Sequence, residues 1–158
     1  MERVNRILAN ATWASVVLLT FLLFVEHRIH VPVWLQAFGR MHPLLLHLPI
    51  GLLLITTLLV FVQKQFNGKS FEQLIHFLLH LTAITASLSA LMGMFLSREG
   101  GYDELDLQLH KWFGVATSYL TAAVLVINTN GRFFRPVLAI GAVVLIAAGH
   151  FGSVLTRG

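Results

Sequence analysis

Five apolar runs, each long enough to cross a lipid bilayer, leave this chain little choice of fold. A spanning helix needs roughly 17–25 mostly apolar residues, and residues 7–25, 43–62, 71–96, 110–127 and 133 or 134 to 151 all qualify. Backbone groups inside hydrocarbon must pair within their own segment, which makes each run a helix. Hydrophobic residues make up 56% of the 158 and charged ones only 11%, too few to clothe a soluble domain of this size. Turn signals separate the runs at Pro32, Gly39, Asn67-Gly68, Gly100-Gly101, Asn130-Gly131 and Pro136. The expected architecture is an all-α integral membrane bundle of about five transmembrane helices. Residues 1–38 form an N-terminal anchor helix and outer loop, and residues 39–158 a four-helix module of two repeated hairpins. The first run follows a basic start, as a signal peptide would. Phe24, Val25 and Glu26 offer no small-residue cleavage site, so it reads as an uncleaved anchor.

The net charge of +4 does not point to nucleic acid, because the basic residues stand singly at the ends of apolar runs. With the N-terminus cytoplasmic, that side holds Arg3, Arg6, Lys64, Lys69, Arg132 and Arg135, against Arg28, Arg40, Arg98, Lys111 and Arg157 outside. This excess predicts a cytoplasmic N-terminus and an outer C-terminus. The absence of cysteine excludes disulfides, iron–sulfur clusters, thiolate-bound zinc and covalently attached c-type haem. Trp13, Trp34, Trp112, Tyr102 and Tyr119 read mostly as interfacial aromatics. Asp103, Glu104 and Asp106 read as a solvated outer loop, and no nucleophile–base arrangement predicts a catalytic activity of the chain's own.

Eight histidines in so apolar a chain need an account, since polar groups at membrane depth are costly and usually face the bundle interior. His42 and His47 fall in the first turns of the second run, His110 opens the fourth, and His150 nearly closes the fifth. All four are expected toward the outer face, with His27 and His30 in the loop on that side. His76 and His80 begin the third run at the opposite face, one turn apart and without a partner from another run. Gly51 follows His47 by four residues and Gly114 follows His110 by four, leaving a gap about 40° away on the same helical face for a flat ligand. The hairpins 43–97 and 110–152 run in the same direction and read as a diverged repeat. Between them the third run offers a small-residue face of Ala83, Ala86, Ser87, Ala90 and Gly93.

Neutral imidazoles from two helices can ligate a haem iron from opposite faces, and a cysteine-free helical bundle would hold such a haem b non-covalently. His47, His110 and His150 are the candidate ligands, with His42 beside them. Arg40, Arg98, Lys111 or Arg157 are candidates to pair with the propionates. Imidazole also suits copper or another transition-metal ion. The plainer alternative is that these are interfacial or helix-packing side chains and no cofactor is bound.

Three stretches, GRMHPLLLHLPIGLLL (39–54), EGGYDELDLQLHKWFGV (99–115) and AAGHFGSVLTRG (147–158), resemble a bacterial "predicted membrane protein" family of unknown function. In that family the membrane module often lies N-terminal to a planctomycete-type cytochrome c domain, and related modules accompany Rieske-like proteins. His42, His47, His110 and His150 match its motif histidines. Ser153 and Arg157 depart from it, standing where the family usually has glycine and histidine. The resemblance implies a bacterial inner-membrane module beside periplasmic electron-transfer partners and brings no ligand assignment with it. Two functions follow as expectations. One is a membrane electron-transfer subunit relaying electrons from quinol or another membrane donor to a separate periplasmic cytochrome c or other redox subunit. The other is a cofactor-free structural or anchoring subunit of a larger complex.

Overall fold

The computed structural model describes residues 2–28, 30–62, 68–127, 129 and 131–155. Among the described residues seven α-helices follow in order: α1 (Glu2–Val25), α2 (Val33–Gly39), α3 (His42–Leu45), α4 (His47–Val62), α5 (Lys69–Leu96), α6 (Glu104–Val126) and α7 (Phe134–Leu155). A 3-10 turn, Ser97–Glu99, continues α5. The turn signals at Asn67 and Asn130 fall outside the described residues.

Helices α4, α5, α6 and α7 close a ring, each packing on its chain neighbours and α4 on α7, while α1 lies against α5 and α6. Leu54, Ile55 and Leu58 of α4 and Ile140, Val143 and Ile146 of α7 turn outward, as lipid-facing side chains do. The helices 3–25, 33–62, 69–99 and 134–155 are long and apolar enough to cross a membrane. Together with the ring they make this a multi-pass helical membrane bundle. Five spans were expected, and α6, which holds the fourth run, is not among the helices long and apolar enough to cross by themselves. Helix α6 begins at Glu104, and Glu104, Asp106 and Lys111 lie in its opening turns. It sits between α5 and α7, and turns Thr117, Ser118 and Thr121 into protein rather than lipid. The acidic stretch is therefore the start of a helix and not a loop. Asp103 caps it, its carboxylate accepting from the Leu105 and Asp106 amides at 3.0 and 3.1 Å. The preceding reversal uses Gly100 and Gly101 at φ 77° and 84°, where a side chain would be strained.

Prolines shape the second span. Pro43 sits in the first turn of α3, where its missing N–H costs nothing. Pro49 lacks the N–H that would bond the Leu45 carbonyl, and the helix is interrupted at Leu46 before α4 begins.

The two ends of the ring differ. One end is filled by Val60, Ile75, Leu79, Val124, Phe134 and Leu138. The other, where α3 and α6 begin and α5 and α7 finish, holds a cavity whose lining mixes alanines, glycines and serines with larger side chains.

The aromatic residues are less uniformly interfacial than expected. Tyr119 lies along α6 and bonds Thr20 of α1 at 2.7 Å. The Thr20 hydroxyl proton already goes to the Val16 carbonyl at 2.8 Å, so Tyr119 is the donor. His80 is held similarly, its Nδ1 2.9 Å from a Thr12 hydroxyl that donates to the Leu8 carbonyl.

Candidate cofactor site

His42, the first residue of α3, reaches across to α5, where its Nδ1 lies 2.8 Å from the Ser89 carbonyl oxygen and 3.3 Å from Ser89 Oγ. His110, inside α6, reaches α7, where its Nδ1 lies 2.8 Å from the Ala148 carbonyl oxygen. A carbonyl only accepts, so each Nδ1 carries the proton and donates it. In the neutral ring Nε2 is then left as a bare lone pair. The two Nε2 atoms face each other at 3.4 Å, with ring centroids 5.7 Å apart and planes at 78°. Lone pairs aimed at one another repel, and a positive centre between them satisfies both. Two metal–imidazole bonds of about 2 Å each would fit once the rings part by a few tenths of an ångström.

The space around this pair is a cavity of about 430 Å³, within the range of ligand pockets. Ala86, Ala90 and Gly93 of α5, Gly114 of α6 and Gly149 of α7 keep its walls low. At Gly114 a Cβ would meet no atom within 4 Å, so the gap expected beside His110 opens into the cavity. Gly51 is equally open but is not on the cavity wall.

The structure brings His42, not His47, against His110. His47 is on the cavity rim with an exposed side chain. His150 is exposed, its ring edge-on to Phe151 at 5.4 Å. The register explains this. His47 and His110 share the H-x-x-x-G spacing, but His42 and His47 stand five residues apart, roughly 140° around an unbroken helix, so both cannot point at His110, and it is His42 that does. Among the described residues no three or more His, Asp or Glu side chains converge on one point. A bare copper ion would want more ligands than the two imidazoles, whereas a haem iron takes four nitrogens from its own ring.

Of the cations, Lys111 reaches the cavity wall, and its Nζ donates to Glu26 Oε1 at the end of α1. That ion pair is secluded, its side chains 15% and 9% exposed. Arg40 is engaged outside the cavity, with Nε 3.0 and 3.3 Å from the two oxygens of Glu99. Arg98 donates to the Glu26 carbonyl at 2.7 Å. Arg157 lies outside the described residues. Sequence reasoning missed Glu26, the Ser89 and Ala148 carbonyls, and Gly152. The available signal was that each carbonyl stands four residues before a glycine, in SALMG (89–93) and AGHFG (148–152).

No curated protein and no solved structure matches the chain. A family model described as eukaryotic cytochrome b561 matches residues 41–150, well over half of the length. This covers almost the same module as the resemblance drawn from the sequence, and it retains the membrane redox character. It gives no support to the bacterial family of unknown function or to an association with cytochrome c domains. The matched stretch contains α4, α5, α6, most of α7 and both converging histidines, and the chain belongs to the cytochrome b561 family of membrane electron-transfer proteins that bind haem b.

Proposed function

We propose that this chain is a one-electron carrier holding a single haem b between His42 and His110 at the small-residue end of the bundle. The observation that carries the proposal is the pair of Nε2 lone pairs held face to face by Nδ1–H bonds to two helix carbonyls. Haem b, when bound, supplies a one-electron iron couple whose potential the axial ligands and their hydrogen bonds tune. The remaining work is done by the chain. Ser89 and Ala148 hold the ring protons at Nδ1, which fixes the tautomer and raises the basicity of Nε2. Ala86, Ala90, Gly93 and Gly114 leave the walls low enough for a flat ring. Lys111 offers a cation at the cavity wall for a propionate, in exchange with Glu26.

The orientation belongs to the same proposal. With the N-terminus in the cytoplasm of a bacterial inner membrane, the site lies toward the periplasm. Electrons would come from quinol or another membrane donor and leave to a separate periplasmic redox subunit.

Purified protein should show Soret and alpha bands that shift on dithionite reduction. His42→Ala and His110→Ala should each abolish the six-coordinate spectrum, while His47→Ala and His150→Ala should retain it. A folded preparation that stays colourless after haem addition would overturn the proposal and favour a structural subunit. Unchanged bands in either ligand variant would overturn the assignment.

A further inference from the structure

The two ligand histidines are seated in the same way, on different helices and in different hairpins. His42 donates to the Ser89 carbonyl on α5, and His110 donates to the Ala148 carbonyl on α7. Each carbonyl belongs to the residue four before a glycine, Gly93 or Gly152. In an α-helix that carbonyl also accepts the amide of the glycine itself, so the imidazole must approach an already bonded oxygen from the side. The side it uses is the one where a Cβ is missing. A Cβ built at Gly152 would lie 2.8 Å from His110 Cε1 and 3.0 Å from its Nδ1. One built at Gly93 would lie 3.2 Å from His42 Cε1 and 3.4 Å from its Nδ1. By contrast, Cβ atoms at Gly51, Gly114 and Gly149 would meet nothing within 4 Å.

We infer that Gly93 and Gly152 are positioning residues, each forming the notch on which one imidazole lies so that its Nδ1 reaches the helix carbonyl and its Nε2 points at the other ring. This rests on the haem reading above for its consequence, but not for its geometry. The atoms that would be struck are on the hydrogen-bonding edge of each ring, so a ring that moves away from a methyl group lengthens or bends its bond. The effect is graded. At Gly152 the contact is impossible without movement, and Ala148 offers His110 nothing but its carbonyl. At Gly93 the contact is only tight, and Ser89 Oγ at 3.3 Å gives His42 a second acceptor. The two ligands are therefore not equivalent, and His110 depends more on its glycine.

The test uses the full chain with Gly152→Ala, Gly93→Ala and Gly141→Ala. Alanine is the better helix former, so none of these should fail for want of helix. A Cβ at Gly141, on α7, would make only an ordinary contact with Leu120 at 3.8 Å, which makes it the control. Outer-shell changes around a metal-bound imidazole typically weaken affinity 10–100-fold. Haem titration should show a loss of that size for Gly152→Ala, a smaller one for Gly93→Ala and none for Gly141→Ala. The midpoint potential of the loaded Gly152→Ala protein should rise, because a ring without its Nδ1–H bond is a poorer donor to ferric iron. Nitrogen NMR of the haem-free chain, labelled at histidine, should show bonded Nδ1–H tautomers for His42 and His110 and loss of the His110 signal in Gly152→Ala. Wild-type values for all three readouts in Gly152→Ala would overturn the inference. If the wild-type chain takes up no haem, the functional proposal fails and the NMR result alone decides the notch.

Discussion

Lys111 and Glu26 illustrate how a single contact can couple the N-terminal helix to the site. Their side chains meet nearly out of water, and they stand 85 positions apart in sequence. Removing one partner of a secluded ion pair leaves the other uncompensated, at a cost of about 3 kcal/mol, whereas replacing both by neutral groups is far milder. Lys111→Met is thus expected to destabilise the chain by about 3 kcal/mol in chemical unfolding, and Lys111→Met with Glu26→Gln to recover most of it. A double variant no better than the single would show that the pair contributes little. Lys111 was recognisable from sequence as a cation beside His110. Its anion was not, because nothing local ties the end of α1 to α6. The same holds for the converging histidines, where H-P-x-x-x-H presents two candidates with little to choose between them until the packing of α3 on α5 turns His42 inward.

Elements were legible wherever local chemistry decides them. The apolar runs predicted the long helices, and the structure begins α1 at Glu2 and α5 at Lys69, before the expected starts at residues 7 and 71 but around the same apolar runs. Helix α6 departs from this, starting at Glu104 rather than at His110, because hydropathy does not register a polar opening turn. Asp103 accepting two amides, with Glu104 and Asp106 at the positive end of the helix dipole, is what starts it. Asp103→Ala should cost about 1 kcal/mol in thermal or chemical unfolding. His110 lies well inside the helix, so its optical signature should persist. Loss of the haem spectrum in that variant would mean that the first turn, and not α7, holds the ring. The α3–α4 interruption was written in Pro49, yet the run was read as one straight span because both pieces are equally apolar.

Across the whole molecule the bundle is asymmetric, with one end packed by large apolar side chains and an open end where alanines and glycines leave a cavity. Histidines follow this asymmetry. His42 and His110 converge at the open end, while His76 and His80 are both on α5 at the filled one, and His80 already binds Thr12. Among the eight histidines, α7 contributes only His150, at the open end. Opposed imidazoles from two helices are therefore available once per chain. Haem quantified against protein should give one per chain, and His76→Ala with His80→Ala should leave that ratio unchanged. Two haems per chain, or loss of haem in the double variant, would contradict this account.

By itself the sequence determined that the chain spans a membrane, that its helices are about as long as a bilayer is thick, and that its histidines gather mainly at one end. These follow from transfer of side chains and backbone between water and lipid, which composition and position along the chain express directly. Which imidazoles meet, what holds their protons and which glycines leave them room were decided only by tertiary structure. Those choices depend on helix rotation and on contacts between residues 38 to 85 positions apart. Rotation is set by how neighbouring helices interlock, and no local pattern in the chain carries it.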